Sequence, residues 1–203
     1  MGKGYDLPLH VAEAVKREAR GEPVLWVEQP DAVLAFRNMS IVCLFGIPWT
    51  VFVVLWEFIA VAPFLPVWLV PAGLAAKNHT GSILMVLWGL PFLAVGAVLM
   101  ALPPLAMVSA RQEAYAVTPT QLLTVRAYPN GRSTVIRTPL LAIAGLVATD
   151  RGRGFGTLKI IRGESIDSDG GRTEDADTWD GIPDVRRAED VILAAQSAAG
   201  RIE

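Results

Sequence analysis

Few side chains in this sequence are equipped for chemistry, and they lie far apart. Of 203 residues, two are histidine, His10 and His79, and one is cysteine, Cys43. A nucleophile needs an adjacent base, and a zinc site needs three or four His, Cys or carboxylate ligands. The two histidines flank an apolar run and are expected on opposite sides of a membrane, so neither arrangement is expected. A lone cysteine supports no disulfide framework. The reading is therefore non-enzymatic, with no catalytic residue, cofactor or metal. The stretch "GRGFG", Gly152 to Gly156, has alternating glycines but precedes a strand-like segment. A phosphate cradle of that kind needs a helix N-terminus behind it, so a hairpin turn is expected instead. The acidic stretch holding Asp167, Asp169, Glu174, Asp175 and Asp177 offers oxygen ligands but not the EF-hand spacing, and is expected to be a solvated loop.

Two groups remain that can act through charge. Arg151, Arg153, Lys159 and Arg162 surround the glycine-rich turn. Basic residues at an anionic bilayer attract lipid phosphates by about 1 kcal/mol each, which makes Arg151, Arg153 and Lys159 candidate lipid-head-group contacts, with a solvated rim as the alternative. Glu57 ends an apolar run. An intramembrane carboxylate is costly and usually has a purpose, so Glu57 is a candidate intramembrane polar site, the alternative being a marker of the outer interface.

The elements that position these groups follow from composition. The chain is 52% hydrophobic and 19% charged, and the apolar excess is concentrated: between Arg37 and Arg111 the formal charges are Glu57 and Lys77 alone. Met39 to Trp56 and Ser82 to Val108 are each long enough to cross a hydrocarbon core of about 30 Å as helices. The connection is broken by Pro63, Pro66 and Pro71, so an interfacial or re-entrant segment over residues 58–76 is expected rather than a third span. Arg37 and Arg111 flank the pair, and the positive-inside rule then puts both termini in the cytoplasm. Gly89 and Gly96 in the second span would permit close helix–helix packing.

The flanks read as a split soluble domain. Leu7, Val11, Ala14 and Val15 have helical spacing beside Lys16, Arg17 and Arg20; such a helix can lie on the membrane or pack on its own domain. A strand around Val24 to Val27 and a further short extended piece lead into the first span. After the second span, "EAYAV", "LLTVRAY", "STVIRT" and "GTLKIIRG" alternate between turns, Asn130-Gly131 being a strong hairpin signal. "VRRAEDVILAAQSAAG" closes the chain as an amphipathic helix.

"YAVTPTQLL", "GRGFGTLKI" and "WDGIPDVRRAEDVILAA", in that order, resemble the recurring features of bacterial pleckstrin-homology-like domains, and "GEPVLWVEQPD" resembles the opening strand of their membrane-anchored members. The resemblance implies an α+β membrane protein: a two-helix transmembrane hairpin inserted in a small antiparallel PH-like β-barrel capped by a C-terminal helix. Residues 1–37 would hold the amphipathic helix and first strands, 38–110 the hairpin, and 111–203 the rest of the barrel. Pro119 to Gln121 stands where members often carry a charged turn. The functional expectation is a membrane-anchored interaction module of the bacterial inner membrane, an accessory or assembly subunit of a larger complex, in contact with membrane lipids and with a membrane protein partner or further copies of itself. A sensor of anionic lipid and a small transporter component using Glu57 are the alternatives. The net charge of −2 and the lack of a basic block argue against nucleic acid.

Overall fold

The computed structural model describes residues 7–65, 69, 79–152, 155–166 and 172–201. The chain divides into two compact units, Met1–Ala35 with Met107–Glu203, and Phe36–Ala106. Two helices run through the divisions, α2 (Ala32–Val61) and α3 (His79–Gln112).

The first unit is α+β. Strands β1 (Trp26–Glu28), β2 (Glu113–Val117), β3 (Gln121–Ala127) and β4 (Ser133–Pro139) form one antiparallel sheet in that order. Strands β5 (Gly145–Asp150), β6 (Phe155–Ile166) and β7 (Arg172–Pro183) form a second. The two sheets do not close into the small PH-like barrel that the resemblance implied. Among the described residues no ladder joins the sheets; the chain leaves β4 at Pro139 and passes through a 3-10 turn at Leu140–Ala142 before β5 begins.

Alternation along β2 explains how the first sheet is held. Ala114 and Ala116 point to one face and Tyr115 and Val117 to the other, and all four are buried. The alanine face, with Leu123 and Val125, is covered by α1 (Leu9–Glu18) through Val11, Ala14 and Val15. The basic amphipathic helix therefore packs on its own sheet. Glu18 ties it there: its carboxylate accepts hydrogen bonds from Ser133 Oγ at 3.0 Å and from Arg137 at 2.5 Å. Burial alone would raise the Glu18 carboxyl, but the Ser133 hydroxyl and the Arg137 guanidinium hold it below its usual value. Glu18→Ala strands both partners, and we expect a loss of about 1–3 kcal/mol, read from the urea midpoint of the full chain in mild detergent.

The opposite face carries the larger core, closed by the second sheet and by α4 (Val185–Ala199) through Leu158, Ile160, Ile182, Ala188 and Ile192. Trp179 of β7 stacks on Tyr115, with ring centroids 4.8 Å apart, and on Trp26, at 6.1 Å. Its Nε1 donates to Thr124 Oγ1 at 2.8 Å.

Turn chemistry sets the remaining geometry. At the β3–β4 hairpin only Gly131 takes a positive φ, +81°, and Asn130 Oδ1 accepts from Arg132 N. The Thr118–Thr120 turn is anchored rather than free: Thr120 Oγ1 donates to Glu22 at 2.7 Å, and Leu140 N donates to Thr120 O. The residues before the first apolar run are helical, not extended as expected. Asp31 Oδ1 accepts from Leu34 N at 2.5 Å and caps α2, while Asp31 N donates to the carbonyl of Gly181. Gly181 holds a φ of +68° there, a conformation that favours glycine.

In the second unit, α2 and α3 are long and apolar enough to cross a membrane, by length and composition. A 3-10 turn at Ala62–Phe64 follows α2; the rest of the proline-rich connection, apart from Leu65 and Leu69, lies outside the described residues.

Candidate functional site

The two apolar helices meet along one seam with heptad spacing. Gly46, Val53 and Ala60 are the buried positions of α2 in this unit, and Gly89, Gly96 and Pro103 those of α3, each set seven residues apart. A repeat of seven keeps one stripe of a helix facing an antiparallel neighbour. Gly46 lies against Met100, where an added Cβ would come within 2.6 Å of Cε. Gly96 lies against Thr50, and a Cβ there would be 2.8 Å from Oγ1. Gly89 lies against Glu57, whose carboxyl occupies the space that a Cβ would need. Gly89 and Gly96 thus sit on the seam where the facing helix leaves no room for a Cβ, and each faces a polar side chain.

Glu57 Oε1 and Thr50 Oγ1 are both buried without a hydrogen-bond partner. They are seven residues apart on α2. A cleft along the seam is lined by Trp49, Phe52, Val53 and Trp56 of α2 and by Trp88, Gly89 and Phe92 of α3, and neither Glu57 nor Thr50 lines it. Trp49 Nε1 donates to the Phe92 carbonyl at 3.2 Å and fixes one wall. The outer faces of both helices are bare: Leu44, Phe52, Leu84 and Trp88 are all more than half exposed.

Three of the basic residues around the glycine-rich turn stand beside acids. Lys159 pairs with Glu174, and Arg151 lies 3.8 Å from Asp180. Arg162 contacts Asp175 at 2.6 Å and Asp177 at 3.3 Å. Arg153 lies outside the described residues. The acidic stretch expected as a solvated loop is instead strand: Glu174, Asp175 and Asp177 belong to β7, and Asp167 and Asp169 lie outside the described residues. Cross-strand pairing with the basic residues of β6 offsets the low strand propensity of consecutive acids.

Sequence reading passed over Glu28. It follows Trp26 by two residues on β1, faces the core and is 8% exposed, with Oε2 unpartnered. Burial, and then the negative charge of Asp184, push its carboxyl up to about 7, with Arg187 opposing. Asp184 caps α4 from a left-handed conformation, φ +52°. The period-two spacing from Trp26 was the available signal.

Comparison with protein-family models, with curated proteins and with solved structures finds no match. The geometry defines an α+β protein with two antiparallel sheets and two apolar helices that could span a membrane.

Proposed function

We propose that the chain is a membrane-anchored, non-enzymatic interaction module: an accessory or assembly subunit that docks on a membrane protein partner through α2 and α3 and carries a PH-like domain in the cytoplasm. The observation that carries this reading is the bare helix pair. Only 11% of the most apolar stretch of each helix is buried, and the two touch along a single seam. That leaves most of an apolar perimeter to lipid and to other helices, whose close approach depends on small residues and fitted side chains.

Other features support it. A four-stranded and a three-stranded antiparallel sheet followed by a helix that packs on them is consistent with the PH-like resemblance. Basic residues at Arg37 and Arg111 favour cytoplasmic termini and a bacterial inner-membrane setting. The local pairing of Lys159 and Arg151 with acids favours protein contact over recognition of anionic lipid.

The test is purification of the tagged full chain in mild detergent, with co-purifying membrane proteins identified by mass spectrometry against an unrelated two-span control. A stoichiometric partner absent from the control is the expected result. A lone chain would sink the accessory-subunit reading.

A further inference from the structure

We infer that Glu28 is a proton-operated latch between the end of β1 and the first turn of α4. With its carboxyl neutral that turn stays packed; loss of the proton opens the turn and loosens the segment that enters α2. The inference is independent of the docking function proposed above.

The carboxyl stands where a charge is poorly tolerated. Glu28 is 8% exposed and its Oε2 is buried without a partner. A charged carboxylate so placed is strongly disfavoured unless it is paired. Its surroundings do not supply enough positive charge. From α4, Asp184 repels the charged form and Arg187 attracts it. From β2, Tyr115 stands opposite Glu28 in register, and burial raises its hydroxyl, which stays neutral. Glu113, two residues away on that strand, is engaged by Arg126. From β7, Asp180 is occupied by Thr157 and lies 3.8 Å from Arg151. Asp31, at the start of α2, accepts from Leu34 N. Burial and the repulsion from Asp184 together outweigh Arg187, in keeping with a carboxyl that titrates near neutrality.

Two short legs of chain set what the proton controls. Three residues beyond Glu28, Asp31 N donates to the Gly181 carbonyl at 2.9 Å. Three residues beyond Gly181, Asp184 caps α4. Glu28 and Asp184 thus act at one end of a link whose other end fixes the start of α2. The α4 end of that link is the weak one. Asp184 holds a φ of +52°, uncommon for a residue with a side chain, and the bond that it accepts from Arg187 N is long, at 3.4 Å. Val185 packs against Gly156, while Ala188, Ile192 and Ala195 seat the rest of α4. Opening the first turn alone therefore admits water to Glu28 and uncovers Val185 without unseating the helix.

The test is hydrogen exchange of the full chain in mild detergent at pH 6 and 8, resolved to single amides by mass spectrometry and corrected for intrinsic rates. With the carboxyl at about 7 closed and 4.5 open, opening should be about tenfold more frequent at pH 8 than at pH 6. Arg187 and Ala188, which donate to the Asp184 carbonyl, and Asp31 and Leu34 at the start of α2 should lose protection by that factor. All four should exchange faster than the amides of β3 at either pH. Glu28→Gln should remove the pH response. Asp184→Asn retains a side chain that caps helices and tolerates left-handed backbone, and should shrink the response; Arg187→Gln should enlarge it. Protection that does not change with pH, or a change that survives Glu28→Gln, would overturn the inference. So would the same shift from both α4 substitutions, since their charges act on Glu28 in opposite senses. Exchange at the four amides no faster than in β3 would also overturn it, because the proton would then leave only on global unfolding.

Discussion

Trp179→Ala is expected to cost about 3–5 kcal/mol of stability in the sheet-bearing unit, the range for truncating a buried tryptophan. Its magnitude follows from position. Trp179 is 2% exposed and stacks on Tyr115 and Trp26 across the two sheets, so one truncation removes contacts from both sides of the main core. Such stacked pairs contribute about 0.5–1.5 kcal/mol beyond the area they bury. Thr124 would also lose the hydrogen bond from Nε1. Because a domain of this size is typically stable by only about 5–15 kcal/mol, the variant should lie near the edge of folding. Urea denaturation of the full chain in mild detergent, followed by the strand signal in circular dichroism, gives the number. Trp179→Phe keeps an aromatic ring and loses the hydrogen bond, so it should fall well short of the alanine variant. A loss below about 1 kcal/mol for alanine would mean that the sheets are held together elsewhere.

The second large effect is a dependence on pH that runs opposite to ordinary acid denaturation. Glu28 has its carboxyl raised from 4.5 to about 7 in the folded protein. Between those values the folded state holds a proton that the unfolded state has released, so stability falls as pH rises through that window and levels off above it. The full shift corresponds to about 3 kcal/mol. Glu18 and Glu22 act in the other sense. Their carboxyls are lowered, so they contribute stability above their unfolded values and lose it as pH falls through the folded ones. At Glu22 the cause is hydrogen bonding from Thr118 and Thr120. Stability should therefore peak at about pH 5, between the two limbs. Glu28→Gln keeps the shape without the charge and should flatten the descending limb, leaving the variant more stable than the parent at pH 8. Denaturant midpoints for both proteins between pH 5 and 8 decide it. A flat parent profile, or the same slope in both, would remove Glu28 as the cause.

Much of this architecture is legible in the residues taken one segment at a time. The long apolar runs, the helical spacing of Val11, Ala14 and Val15, and the alternation through "YAVTPTQLLTVR" each depend only on near neighbours in the chain. The helices and strands stand where those patterns put them, and Asn130-Gly131 makes its hairpin. Errors arose where distant partners override local preference. The acids Glu174, Asp175 and Asp177 read as a loop until basic side chains from β6 are laid beside them. The residues from Ala32 read as extended until Asp31 caps their helix and bonds to Gly181.

The candidate site divides in the same way. Glu57, Gly89 and Gly96 stand out as single residues, because a carboxylate or a glycine in an apolar run is conspicuous without any structure. That Glu57 rests on Gly89, and Thr50 on Gly96, is decided only by the register in which two antiparallel helices pack. The sequence by itself thus determined the elements and the unusual residues within them, since both come from local spacing and side-chain type. Only the tertiary structure decided which sheet face buries Glu28, which charges cancel and which glycine meets which carboxylate, since contacts between distant segments leave no periodic mark on either one.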